Sequence, residues 1–203
     1  EANQNLTWRD VQHILVQTSR NVDSDHPGWF QTKAGHWYNH AYGYGLVDAT
    51  EAVNMAKSWQ TVDSEIVVNM GEITVNDYIF DDRDSGVSST IIVNQSINIE
   101  SIEVLVDVSH KFRGDLNFFL TSPSGIVSEL VREHSDPGHD YDDWIFSSVV
   151  HWGENSFGEW TLKVNDTVQG GDIGSPEFRY WNLTFYGTAG ADNDGDGLPN
   201  YVE

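Results

Sequence analysis

Near Val62 the hydrophobic rhythm of the chain changes, and this break constrains the fold more than any other feature. Before it apolar residues recur at helical spacing, and after it they alternate. Thr7 and Asp10 form a capping pair, and Trp8, Val11, Leu15 and Thr18 then make a stripe that predicts a helix to about Ser19. Asp48, with Glu51 three residues on, caps a second helix. Its expected packing face is Ala49, Ala52, Val53 and Ala56, and it should end near Trp59. Between the helices, Gly28 to Leu46 is rich in Trp, Tyr, His and Gly, and it is expected to be a buried irregular connection that two helices cannot cover unaided.

From about Asp63 the period is two. Ile102, Val104, Val106 and Val108 alternate with Glu103, Leu105 and Asp107, and Trp160, Leu162 and Val164 alternate with Thr161 and Lys163. Further apolar runs at Ile91 to Val93, Leu116 to Leu120, Ile126 to Val131, Trp144 to Val150 and Trp181 to Phe185 are separated by turn chemistry such as Ser122-Pro123-Ser124-Gly125. About seven or eight strands of this kind imply an antiparallel jelly-roll sandwich. The last stretch, Ala189 to Glu203, has almost nothing that could enter a core. The expected organisation is therefore 1–62 helical, 63–188 mainly β and 189–203 a tail.

Composition narrows the partners. Acidic residues number 32 against 10 basic ones, for a net charge of −22. Such a field repels phosphate backbones and anionic lipids, so neither nucleic acid nor membrane is an expected partner. No apolar run approaches a bilayer span, and no basic, hydrophobic leader opens the chain, so Glu1 is not expected to be a natural start. Cysteine is absent, which removes disulfides, thiolate metal sites and a Cys nucleophile, and leaves oxygen-ligated metal as the available staple.

The tail supplies such a site. Asp192, Asp194, Asp196 and Gly197, followed by Leu198, Asn200 and Glu203, fit D-x-D-x-D-G with Glu at the twelfth position. The alternate carboxylates converge on one Ca2+, Leu198 offers its carbonyl, Asn200 ligates directly or through water, and Glu203 is bidentate. A solvated acidic tail is the plainer alternative. The loop resembles the repeats of thrombospondin type 3 stalks, with weak, structural binding expected in the range of about 10⁻⁴ to 10⁻³ M. Two more acidic groups are expected in loops between strands: Asp77, Asp81, Asp82 and Asp84, and Asp136, Asp140, Asp142 and Asp143. Their spacing fits no template, so simple solvation stands beside the ligand reading; Asp81, Asp142 and Asp143 are the ligand candidates, and Asp143, beside Trp144, is the hardest to dismiss.

Asn5 to His13 and Tyr42 to Ala49 resemble the end of the catalytic domain of furin and kexin. Phe112 to Leu116, Leu120 to Gly125, Asp143-Trp144 with Phe146, Gly158 to Leu162 and Leu183 to Thr188 are similar to the P domain that follows it. The likeness covers about residues 1–188 in the right order. It implies a calcium-dependent parent serine endopeptidase with an Asp, His and Ser triad on a subtilisin-type α/β fold, and a jelly-roll P domain needed for that enzyme's folding. The family's G-T-S-x-x-x-P nucleophile segment does not occur here, so this chain is expected to be noncatalytic. Its partner would be the catalytic domain of the same protease, with peptide and protein substrates belonging to the parent. The missing cysteine and the calcium-repeat tail point to a secreted bacterial protein.

Two motifs compete with this reading. Asp84-Ser85-Gly86 mimics the D-S-G of subtilases, but it follows Asp81-Asp82-Arg83 instead of an apolar strand. Arg113-Gly114-Asp115 spells an adhesion tripeptide but leads straight into a strand, where Gly114 would permit a close backbone approach. The rival from another class is a calcium-dependent carbohydrate- or protein-binding module that uses Trp144, Trp152 and Trp181. The eight His residues lack zinc-site spacing and read as structural or surface groups.

Overall fold

The computed structural model describes residues 2–81, 84–170 and 175–190. The chain divides into two compact units between Glu65 and Ile66. In the first, α1 (Trp8–Thr18) opens with the capping box read from the sequence: Asp10 N donates to Thr7 Oγ1, and Thr7 N donates to Asp10 Oδ2 at 2.7 Å. α2 (Ala49–Ala56) is capped by Asp48, which accepts from Thr50 N and Glu51 N. It closes at Ala56, short of Trp59, because residues 57–58 turn out of the helix.

The faces differ from expectation. Arg9, Asp10 and Ile14 are the buried side of α1, while Trp8 and Val11 of the apolar stripe are exposed. On α2 Ala56 is buried, Ala52 is half-buried, and Ala49 and Val53 are exposed. The aromatic connection is not buried either. It forms a small hairpin, β1 (Phe30–Gln31) with β2 (Trp37–Tyr38), and of its side chains Thr32 and Asn39 are the ones enclosed. The reason is that polar contacts, not apolar burial, organise this unit. Buried Asp10 also accepts from Trp59 Nε1 and Val62 N, both at 2.8 Å, fastening α1 to the chain beyond α2.

The second unit contains β3 (Ile66–Asn69), β4 (Ile73–Tyr78), β5 (Val87–Val93), β6 (Ile97–Ser109), β7 (Leu116–Thr121), β8 (Val127–Val131), β9 (Tyr141–Ser148), β10 (Gly158–Asp166) and β11 (Glu177–Ala189). One sheet has the order β5-β10-β7-β8; the other runs β3-β11-β6-β9, with β4 also on β11. All their pairings are antiparallel. The links from β5 to β6, β6 to β7, β8 to β9, β9 to β10 and β10 to β11 each cross between sheets, which closes the jelly-roll sandwich.

Period two dictates the core. Ile102, Val104, Val106 and Val108 of β6 meet Trp160, Leu162 and Val164 of β10 with Phe118, Trp181 and Phe185 in one cluster, all fully enclosed. Each such side chain contributes about 1.5–3 kcal/mol relative to exposure. The sandwich has nine strands among the described residues, against the seven or eight expected, because β3 and β4 are short and share one edge of β11.

Candidate functional site

The tail residues Asp192, Asp194, Asp196, Leu198, Asn200 and Glu203 lie outside the described residues. Asp81 follows β4, and both of its carboxylate oxygens accept from Gly170 N, at 3.2 and 3.1 Å. Asp142 and Asp143 are not in a loop, which corrects the expectation. Tyr141 packs into the core at 3% exposure and draws the start of β9 forward, so the two carboxylates fall in the strand where its register against β6 shifts. Asp143 takes a φ of 48° at this bulge and accepts from Tyr180 Oη at 2.7 Å. Asp77 likewise sits in β4. Among the described residues no three or more His, Cys, Asp or Glu side chains gather as a metal would require.

The structure makes a different grouping at the end of the sandwich. Asp166, the last residue of β10, lies 3.1 Å from His110 Nε2, and both side chains are shut from solvent. His110 is anchored twice more, by its backbone N donating to Asp140 Oδ1 at 2.7 Å and by Nδ1 facing the Phe112 carbonyl at 2.8 Å. The Phe112 amide also stands 3.2 Å from Nδ1, so both ring nitrogens of His110 have a polar neighbour. Burial pushes the Asp166 carboxyl above its ordinary range, and the Asp81 and Asp115 carboxylates push the same way. The Val168 N–H and His110 pull against them. Asp81 thus acts on Asp166 through its charge, with no ligand cluster formed among the described residues. The arrangement is a buried polar pair that joins β10 to the end of β6.

Beside this pair, Arg113–Asp115 is a single 3-10 turn before β7. Arg113 Nε reaches Asp136 Oδ2 at 2.8 Å, and its guanidinium lies 5.2 Å from the Trp144 ring centre. Arg113 and the Gly138 N–H hold the Asp136 carboxyl below its usual range. Gly114 is required sterically: a Cβ would stand 2.3 Å from the His134 carbonyl oxygen. The tripeptide is thus a folded corner.

Residues 99–185 match the family model of the proprotein convertase P-domain. The β unit carries a proprotein convertase P-domain. Kexin of Saccharomyces cerevisiae is 34% identical over 199 residues, a match that takes in 92% of this chain and 24% of kexin. Human furin is 33% identical over 200 residues, covering 93% of this chain and 24% of furin. The chain thus spans about a quarter of the length of these relatives. Among solved structures, the serine protease of Aeromonas sobria in complex with its chaperone has the same fold, with a TM-score of 0.83 at 22% identity over 91% of this chain and 40% of that one.

Several sequence expectations resolve inside this P-domain. Trp181 is enclosed completely and Trp152 is 4% exposed, so two of the three Trp residues of the binding-module reading are interior. Trp144 remains 44% exposed but carries Arg113 on its face. In the Asp84-Ser85-Gly86 segment, the Asp84 carbonyl accepts from Lys163 Nζ and Asn165 Nδ2. Gly86 has a φ of 57° and lies flat on β10, where a Cβ would stand 2.4 Å from the Val164 carbonyl oxygen. This is a turn pressed on a sheet. Sequence reasoning missed the buried His110 and His151, since their partners are distant or their surroundings apolar. His151 has no exposure, abuts Trp160 edge-on at 5.0 Å, and its Nδ1 stands 3.4 Å from Glu154 Oε2 without hydrogen-bond alignment.

Proposed function

We propose that this chain is the noncatalytic carboxy-terminal region of a secreted, calcium-dependent, kexin-like serine endopeptidase, and that it stabilises that enzyme's catalytic domain. One observation carries the reading. In the helical unit Ile14 and Ala56 are the buried hydrophobic side chains among the described residues, while Trp8, Val11, Trp37, Tyr42, Leu46, Val47 and Val53 are exposed. Covering apolar surface is worth about 25 cal/mol per Å², so such a face calls for a neighbour. The remainder of a subtilisin-type domain is the neighbour that the kinship with kexin and furin supports. Peptides and proteins would be substrates of that parent, whose triad this chain does not carry.

Limited proteolysis tests the reading. Residues 1–62 should be cut well before the β unit in the chain alone, and should be protected when the upstream domain is coexpressed. Equal resistance of both units in the chain alone would contradict it, as would hydrolysis of basic-site peptides by this chain.

The tail proposal is separate: Asp192, Asp194, Asp196, Leu198, Asn200 and Glu203 hold one Ca2+, supported by their spacing alone. Calorimetric titration should give a dissociation constant of about 10⁻⁴ to 10⁻³ M. The event should disappear in Asp194→Ala, and its persistence would refute the assignment. Export from a bacterial cell accords with the acidic, cysteine-free composition. Recovery of the native protein solely from cytosol would contradict it.

A further inference from the structure

The outer face of the β3-β11-β6-β9 sheet carries a second candidate site, different in kind from the buried His110–Asp166 pair. Strand register lays its side chains in rows. Asn69, Thr184, Glu103 and Ser147 stand opposite one another, and Asn182, Leu105 and Ile145 form the next row. Between them runs a groove of about 260 Å³, with Val67, Leu105 and Ile145 as apolar wall and Asn182, Glu103 and Thr184 as polar wall. Val67 and Ile145 are about half exposed, at 53% and 52%, so the groove has apolar surface open to a ligand.

The polar groups are acceptors in excess. Glu103 accepts from Tyr186 Oη at 2.8 Å, which leaves carboxylate lone pairs over. Asn182 donates to Asn69 Oδ1 at 3.2 Å, but its own Oδ1 is closed to solvent and has no hydrogen-bond partner. Farther along the face, the Tyr180 hydroxyl is bracketed by Asp143 and Asp107, which together with burial drive its pKa strongly upward. Arg179 meets Asp107 at 2.8 Å with Asp140 and Glu177 close by, so carboxylates outnumber the cation there.

We propose that this groove binds an extended peptide segment bearing Lys or Arg. The aliphatic stem would lie on Leu105, Ile145 and Val67, and the cationic head would face Glu103. Three features select this occupant. The wall offers apolar surface beside carboxylate, which matches the two-part character of a long basic side chain. The volume admits one or two side chains, less than a drug-sized ligand needs. The net charge of −22 draws cations towards the surface.

The test is an NMR titration of the 15N-labelled 203-residue chain with an acetylated, amidated Lys-Val-Lys-Val-Lys peptide. Its controls are the same peptide with Glu replacing Lys, and a neutral cello-oligosaccharide. Shifts should centre on the amides of Glu103, Leu105, Ile145 and Asn182, and should weaken several-fold between about 0.05 and about 0.5 M salt. Ile145→Lys, at a half-exposed position, should keep the fold by near-ultraviolet circular dichroism and weaken binding by about tenfold or more. Glu103→Gln should cost about threefold. The proposal fails if the Lys peptide gives no shifts at millimolar concentration, if its shifts lie elsewhere, if the Glu peptide or the oligosaccharide binds as well, or if folded Ile145→Lys binds unchanged. If Ile145→Lys does not fold, Glu103→Gln and the salt series decide in the same way.

Discussion

The helical unit encloses Ile14 and Ala56 among its described hydrophobic side chains, whereas the P-domain encloses a cluster that runs from Val68 to Phe185. In the first unit a carboxylate stands where a core would be. Asp10 is fully buried and accepts from the Thr7 amide and hydroxyl, the Trp59 indole and the Val62 amide. In the P-domain enclosed polar groups such as Asp166 and His110 accompany a large apolar cluster instead of replacing it. One unit is specified by directional bonds and keeps its apolar surface outside; the other is specified by packing and keeps it inside. Cooperativity should differ accordingly, because packing is shared among many neighbours and a hydrogen-bonded hub is not.

The comparison can be broken at its strongest point first. Trp160→Ala removes a fully enclosed ring that also donates to the Ser156 carbonyl, and it should cost the P-domain about 3–5 kcal/mol in denaturant unfolding. A loss that small-residue repacking fully absorbed would show the core to be less tightly specified than described. Asp10→Ala should cost the helical unit about 2–3 kcal/mol by orphaning the Trp59 and Val62 donors. Hydrogen exchange should accelerate across α1 and residues 59–62 while β6 and β11 stay protected.

Acid sharpens the contrast because the two buried carboxyls shift in opposite directions. Burial would raise Asp10, but the bonds from Val62, Thr7 and Trp59 hold its pKa at about 2, below the ordinary 3.8. Its contribution is therefore complete above 3.8 and fades as pH falls towards about 2. Asp166 is raised above 3.8, so the folded state binds its proton more tightly, and its contribution is greatest at low pH and declines as pH rises through the folded value. Relative to Asp10→Asn, the native chain should gain stability from pH 2 to 5. Relative to Asp166→Asn, it should lose stability as pH rises from 3.8. Parallel slopes for the two variants would refute this. The smallest effect belongs to the exposed face: Val53→Ser should change the stability of this chain by no more than about 0.5 kcal/mol.

Much of the P-domain was legible because its strands alternate cleanly; β6 and β10 declare their inward residues in the sequence itself. β3 and β4 did not, since Gly71 and Glu72 interrupt short apolar runs that gain meaning only along the edge of β11. The α1 stripe was legible as a helix but not as a facing, because periodicity reports which residues share a side and not what covers it. The site was least legible. His110 and Asp166 are 56 positions apart and meet only through the sandwich closure, while Asp142 and Asp143 looked like loop residues until Tyr141 was seen to anchor the strand before them.

The strand β11 pairs with β3 and β4 on one side and with β6 on the other, yet it follows all of them in the chain. During synthesis β6 can pair with β9 beforehand, but β3 and β4 cannot be joined to it until residues 177–189 emerge. A message shortened by even that one segment would therefore not yield a trimmed P-domain; it would yield three strands with no common seam.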